Sequence, residues 1–290
     1  MDVTEQTLVR YKRLPEWTAE SLPRAFREQH NTKEGTWAKL TILDGQLRYI
    51  ELDEAGSVLA QRVFSPDEPP PMVAPQAWHR VEPYSDDLRC YLEFYCEPDR
   101  YYEKKYKLTA PHSEVVEVLQ HIDSGDALDL GSGRGRNSVF LQTHGFQVTA
   151  LDNKEAALTK LRRIVDEESA CVGLRAELYD IATASIQQAY DLIVSTVVLQ
   201  FLPADSIPAV IGNMQAQTRV GGVNLVVAPM STAEAPCPID WPFTFGAGEL
   251  ARYYRDWTIL KYNENPGTFH RVDESGHRVG ATFATLVARR

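Results

Sequence analysis

Two groups of residues in this sequence have the types and spacing of chemical apparatus. The stretch ALDLGSGRGRN, Ala127 to Asn137, sets Gly131, Gly133 and Gly135 at alternate positions just after Asp129. Glycines at such spacing let a backbone turn tightly and come close to a ligand. The third glycine arrives one residue too early for the dinucleotide fingerprint, and Arg136 holds its place. Asp129 would repel a pyrophosphate and attract a cationic or zwitterionic ligand. Asp152, closing the next apolar run, is placed to accept hydrogen bonds from both hydroxyls of a ribose. The second group is FHRVDESGHR, Phe269 to Arg278, two arginines and two histidines in a chain of formal net charge -10. An arginine offers a permanent fork of N–H groups to an oxyanion, and a histidine near neutral pH can take a proton. Arg134 and Arg136 support an anion nearby, because cations at a helix start oppose its dipole. The plainer reading is a solvated polar loop, and Asp273, Glu274 and His277 fit it.

The surrounding elements say how these groups are carried. From about Asp99 the apolar period turns helical, and strand-like runs then alternate with helices: DALDL, a helix from about Asn137, QVTALD, a helix from Ala156 to Val165, GLRAELYD, YDLIVSTVV, a helix near Ile207 to Gln217, and GVNLVVAP. Alternating βα units predict a parallel sheet covered on both faces, with ligands beyond the carboxyl ends of its strands. Before Asp99 the pattern differs. TWAKLTILDGQLRYIELDEAGSVLAQRVF alternates apolar and polar residues, and Asp44-Gly45 and Glu54-Ala55-Gly56 fall where hairpin turns would. After a proline-rich break, alternation resumes from Trp78 to Tyr95. The expected division is an all-β domain over 1–98, a small sandwich or cupin-like barrel, and an α/β domain over 99–290.

An acidic residue, a G-x-G-x-G loop and an acidic second strand tip together resemble the pattern of S-adenosylmethionine-dependent methyltransferases. That resemblance implies a Rossmann-like sheet of seven mostly parallel strands. A sixth parallel strand (WTILKYNE) and a seventh antiparallel one (ATFATLVAR) would form a hairpin whose connection, FHRVDESGHR, opens on the ligand side. Strand four reads STVVLQFLP, not the Asn or Asp, two prolines and aromatic of many base-modifying members. With the acidic balance, this argues against nucleic acid as substrate.

More specifically, KYKLTAPHSEV, DLGSGRGRNS, YDLIVSTVVLQFL, NMQAQTRVGGVNLVVAPMST, FTFGAGEL, YNENPG and FATLVAR resemble the tellurite-resistance methyltransferase family, and HNTKEGTW with PQAWHRVEP resembles its two-domain long form. The resemblance implies methyl transfer from S-adenosylmethionine, leaving S-adenosylhomocysteine, to tellurite or selenite, with volatile methylated products. It assigns the cofactor to Tyr106, Asp129, Gly131, Gly133, Gly135, Arg136, Asn137, Asp152 and Asn153. Asp180 and Ile181 would flank the adenine, and Ser195, Thr196 and Val197 would form the floor. The acceptor would fall to His270, Arg271 and Arg278, the arginines holding oxygens while His270 takes or orients a proton. Ser132 stands where members commonly have cysteine. Tyr102 and Tyr106 either close as an aromatic lid or simply pack. The same cofactor core would also serve a thiol, thiopurine or small carboxylate, or a sensor that binds cofactor without turnover.

Composition bounds the rest. At 290 residues, 43% hydrophobic and 10% aromatic, the chain can bury real cores. Its acidic balance disfavours phosphate backbones and anionic lipid. No apolar run reaches about 18 residues and the start has no leader-like apolar region, so a cytoplasmic protein without a membrane partner is expected. Cys90, Cys96, Cys171 and Cys237 show no zinc-clip spacing and read as buried thiols. PQAWH resembles the second half of a cupin metal motif, with His30 a conceivable partner for His79. The paired histidines of the first half are absent, so structural histidines and no metal are expected. The sequence sets no oligomeric state.

Overall fold

A computed structural model of the protein describes residues 7–290. The first six residues, part of the stretch read for a leader and of the β-domain, lie outside the described residues. Packing divides the chain into two units, Met1–Leu108 and Thr109–Arg290.

The first unit holds β1 (Val9–Arg13), β2 (Trp17–Thr18), α1 (Arg24–Arg27), β3 (Trp37–Asp44), β4 (Leu47–Leu52), β5 (Val58–Phe64), β6 (His79–Pro83), β7 (Arg89–Cys96) and α2 (Tyr101–Tyr106). All pairing is antiparallel: β7 takes β1 and β2 along one edge and β3 along the other, and β4 lies between β5 and β6. Alternating residues, among them Leu40, Ile42, Leu47, Tyr49 and Val81, are buried between the sheets, as a period of two requires. The Glu54–Gly56 turn is the expected hairpin, held by Ser57 N–H donating to Asp53 Oδ1 at 2.7 Å. Asp44-Gly45 is not a hairpin. It carries the chain from β3 in one sheet to β4 in the other, and a Cβ on Gly45 would lie 2.6 Å from the side chains of Asp87 and Ser85. Alternation alone cannot tell a corner from a hairpin. The helical residues after Pro98 belong to this unit, because Lys104 Nζ donates to Thr36 Oγ1 at 3.0 Å. The change of period at Asp99 marks a new element rather than a new unit.

The second unit holds α3 (Ser113–Glu117), β8 (Gly125–Leu130), α4 (Arg136–Thr143), β9 (Phe146–Asp152), α5 (Glu155–Glu167), β10 (Leu174–Leu178), β11 (Tyr190–Thr196), α6 (Ile207–Ala216), β12 (Thr218–Pro229), α7 (Glu249–Tyr253), β13 (Thr258–Val272) and β14 (Arg278–Arg289). Among the described residues its sheet has seven strands, in the order β10-β9-β8-β11-β12-β14-β13. Only β14 runs against its neighbours. The order reverses between β8 and β11, and a crevice opens at such a switch point beyond the strand ends. The Leu158, Leu161 and Ile164 stripe of α5 is buried, as are Ile207, Val210, Ile211 and Met214 of α6. Val116 of the expected apolar face of α3 is 45% exposed, since α3 is short and gives way to a tighter turn at Val118.

The hairpin differs most from expectation. Pairing runs on from Thr268/Gly280 to Val272/Arg278 across an irregularity, so Phe269–Val272 is strand and only 273–277 is the turn. Asp273 Oδ1 closes that turn by accepting the N–H groups of Ser275 and His277, each at 2.9 Å. Cys90, Cys96 and Cys171 are buried thiols, whereas Cys237 is partly exposed. No helix among the described residues is long and apolar enough to cross a membrane.

Gly135 gives a direct test of this packing. Its φ is +87°, and a Cβ there would sit 2.3 Å from Leu161 of α5. Gly135→Ala is expected to lose about 2–4 kcal/mol, combining left-handed strain with overpacking. An unchanged urea midpoint would show that the loop does not seat against α5 in this way.

Candidate active site

At the carboxyl end of β8 the three glycines have separate jobs. Gly131 has φ +82° and a Cβ would strike Val198, while Gly135 abuts Leu161. Gly133 has φ +56° and nothing within 4 Å of where its Cβ would be. Two glycines permit packing and the middle one leaves the loop open. The loop is anchored to β9, with Gly131 and Ser132 N–H donating to the Leu151 carbonyl at 2.8 and 2.9 Å.

The two carboxylates sit in unlike surroundings. Asp152 is 8% exposed, and its oxygens accept N–H groups of Gly133 and Lys154, each at 2.8 Å. A carboxylate has about four lone-pair sites, so capacity remains for two hydroxyls. Asp129 is only 1% exposed and accepts a hydrogen bond from Ser138 Oγ at 2.5 Å. Burial pushes its pKa up to about 6, opposed by Ser138 and by the charge of Arg136. It therefore lies behind the loop rather than on its open side, and acts as a fixed charge at neutral pH.

The tip of β11 forms the other wall. Ser195 and Thr196 are buried, and Ser195 Oγ has no partner among the described residues. Val197 follows with φ +58°, a conformation a β-branched residue adopts only under constraint. Its N–H donates to the Val227 carbonyl at 2.7 Å. Asn137, 4% exposed, fastens this tip: its Nδ2 donates to Thr196 Oγ1 at 3.0 Å and its Oδ1 accepts the His112 N–H at 2.9 Å. At the end of β10, Ile181 is buried, while the exposed Asp180 accepts from Ala182 N–H at 3.0 Å. Asn153 is exposed. Tyr106 lies on α2 of the first unit, its ring stacked on Tyr102 at 6.2 Å between centroids.

Beside this wall lies a cleft of about 420 Å³, lined by His112, Arg136, Val197, Lys261, Asn263 and His270, among others. Arg136 Nη1 is 3.3 Å from His270 Nε2. Arginine cannot accept, so the His270 nitrogen does, and its ring carries its proton on Nδ1. Burial, then Arg136 and Arg278, hold the His270 pKa below its ordinary value. His112 has the opposite tautomer. Its Nδ1 accepts the Glu114 N–H at 3.2 Å, which leaves the proton on Nε2. Burial first, with Arg136, His270 and Lys261, pushes its pKa down to about 4. Lys261 is held by Glu114 and Glu117, each at 2.7 Å. The cleft thus combines a guanidinium with a neutral imidazole donor and a neutral imidazole acceptor.

Arg271 and Arg278 line a neighbouring depression with Asp240, Asp273 and Glu274, whereas His270 lines the cleft. His112 and Lys261 were not singled out by the sequence. The available signal for His112 was its place between Pro111 and Ser113 at a helix start.

Sheet order, glycine loop and strand-tip carboxylate together define an S-adenosylmethionine-dependent methyltransferase. The open face at Gly133, the spare capacity of Asp152 and the orphaned Ser195 hydroxyl fit that cofactor. Residues 94–287 match the family described as tellurite resistance protein TehB, and residues 12–92 match the TehB-like domain. A Haemophilus influenzae protein named probable S-adenosyl-L-methionine-dependent methyltransferase TehB is 48% identical over 98% of both chains. The crystal structure of TehB from Haemophilus influenzae covers 99% of this chain and all of its own, with TM-score 0.84 and 48% identity. A structure from echinomycin biosynthesis, 20% identical with TM-score 0.50, covers 66% of this chain and 89% of its own and shares the fold. The chain belongs to the TehB family.

Asp129→Asn tests the buried charge. The folded pKa lies above the usual value near 3.9, so the unfolded chain releases this proton first and stability falls as pH rises from about 4 to about 6. The cost above that window is about 3 kcal/mol. The variant is expected to lose that fall while binding S-adenosylmethionine more weakly. Parallel stability curves for both proteins would place no raised carboxylate here.

Proposed function

We propose that the protein transfers a methyl group from S-adenosylmethionine to tellurite or selenite in the cytoplasm, the route to volatile methylated products. The observation that carries the reading is the cleft beside the glycine loop, where Arg136, His112 and His270 face the same space. When bound, the cofactor supplies an electrophilic sulfonium methyl, taken by the chalcogen lone pair as the C–S bonding pair returns to sulfur.

The chain's residues divide this work by charge. The loop at Gly131, Gly133 and Gly135, with Asp152 and Ser195, holds the donor, and Asp129 favours its positive sulfur from behind the loop. Asn153, Asp180, Ile181 and Thr196 complete the nucleoside side. Removing a small oxyanion from water is costly unless fixed donors replace its hydration. Arg136 and the His112 Nε2–H can do so, and neither needs a proton from solution. His270 Nε2 accepts from Arg136 in this structure, and once that guanidinium turns to the oxyanion it can take the proton of a hydrogen-oxyanion as the methyl arrives. Arg271 and Arg278 line the neighbouring depression. Arg278 already lowers the His270 pKa, and the pair adds positive field on the acceptor side.

Headspace analysis of purified protein with cofactor, a thiol reductant and tellurite or selenite is the test. Methylated tellurium or selenium is expected, whereas methylation of the thiol alone would overturn the assignment. His270→Ala is expected to lose about 10²–10⁴-fold in kcat with cofactor affinity unchanged. Because the His270 pKa is lowered, the rate should hold level down through about pH 6.5 and fall only below it. A fall that begins above neutrality would remove His270 as the base.

A further inference from the structure

We propose that Lys261 fits the acceptor cleft to an anion by masking the carboxylate of Glu114, a role that rests on the oxyanion reading of the cleft. Both side chains line that cleft together with Arg136, His112 and His270. A negative charge therefore sits on the wall of a space that is to receive another. The Glu114 side chain is only 15% exposed, so water and salt screen it poorly.

The acid comes with the helix that carries the imidazole donor. Glu114 lies in the first turn of α3, where a negative charge suits the helix dipole. Its N–H donates to His112 Nδ1 at 3.2 Å, so the backbone that fixes the His112 tautomer also brings this carboxylate to the cleft.

Lys261 arrives from a distant strand. In β13 an extra residue, Leu260, interrupts the ladder between the Ile259/Ala288 and Lys261/Val287 pairs. Such a bulge re-aims side chains, and beyond it the alternate residues Lys261, Asn263 and Asn265 line the cleft. The ammonium donates to Glu114 Oε1 at 2.9 Å, to Glu114 Oε2 at 2.7 Å and to Glu117 Oε2 at 2.7 Å. An ammonium has three N–H groups, and these three carboxylate oxygens take them. Lys261 thus keeps no donor for the acceptor, and its effect inside the cleft is to cancel Glu114. Glu117 is 53% exposed and is not part of the cleft wall, so solvent screens most of its charge. With Glu114 cancelled, an entering anion meets Arg136 and the His112 Nε2–H instead of a bare carboxylate. Lys261 decides specificity through Glu114 without touching the acceptor. A pair that only fastened α3 to β13 would use the same bonds, but the two roles give opposite results when both charges are removed.

The experiment titrates selenite into the full chain saturated with S-adenosylhomocysteine, followed by calorimetry at low ionic strength. Lys261→Met is expected to bind selenite about tenfold more weakly or worse, because the carboxylate then faces the anion, with S-adenosylhomocysteine affinity unchanged. The double variant Lys261→Met/Glu114→Gln should return selenite affinity to within about twofold of wild type. Glu114→Gln alone should bind selenite more tightly than wild type, and it decides the matter if Lys261→Met does not fold. Binding that stays weak in the double variant would make the pair a tether. That result overturns the proposal, as does unchanged selenite affinity in Lys261→Met or no gain in Glu114→Gln. Selenite binding without methyl transfer would remove the proposed reaction and leave this assignment standing, whereas a wild-type protein that binds no selenite overturns both.

Discussion

Arg136 is where the glycine loop and the neighbouring cleft meet. It begins α4, so the glycine loop and the packing of Gly135 on Leu161 fix its position. Behind it lies the buried Asp129, whose charge it stabilises and which in turn counters the lowering of the Arg136 pKa by burial. In front of it stands His270, 3.3 Å away on a strand far along the sequence. Without that guanidinium, Asp129 would be a buried charge answered only by Ser138, and His270 would have no reason to hold its proton on Nδ1. Negative charge therefore sits at Asp129 and Asp152 on β8 and β9, while the donors Arg136 and His112 line the cleft.

This sorting rests on backbone held under tension. Val197 keeps a positive φ at the β11 tip because its N–H is tied to Val227 and the preceding Thr196 is tied to Asn137. Strain of this kind costs on the order of 1–3 kcal/mol and persists only where neighbours over-determine it. Asn137 reaches both ways, to Thr196 and to the start of α3, and so sets the distance between the strand tip and His112. Its identity in the glycine-loop stretch is thus a statement about geometry as much as about ligand contact.

Much of this was legible in the sequence. Alternating βα runs specified the parallel sheet, and Gly131, Gly133 and Gly135 with Asp129 and Asp152 fall at its switch point, because local backbone needs dictate those residue types. What was not legible depended on contacts between distant segments. His112 is ordinary in its own stretch and joins the cleft only when α3 and Arg136 surround it. The hairpin read as a basic loop because polar residues dominate it, yet strand pairing continues to Val272, and His270 and Arg271 line different depressions. Asp44-Gly45 looked like a hairpin because turn chemistry is the same for a corner between sheets.

The division of charge within the cleft is most directly tested by crystallography of the protein with S-adenosylhomocysteine and selenite, using the anomalous signal of selenium. A peak among His112, Arg136 and His270, with the nucleoside on Asp152, is the expected result. A peak confined to the outer depression of Arg271 and Arg278, with the inner cleft holding only water, would contradict it.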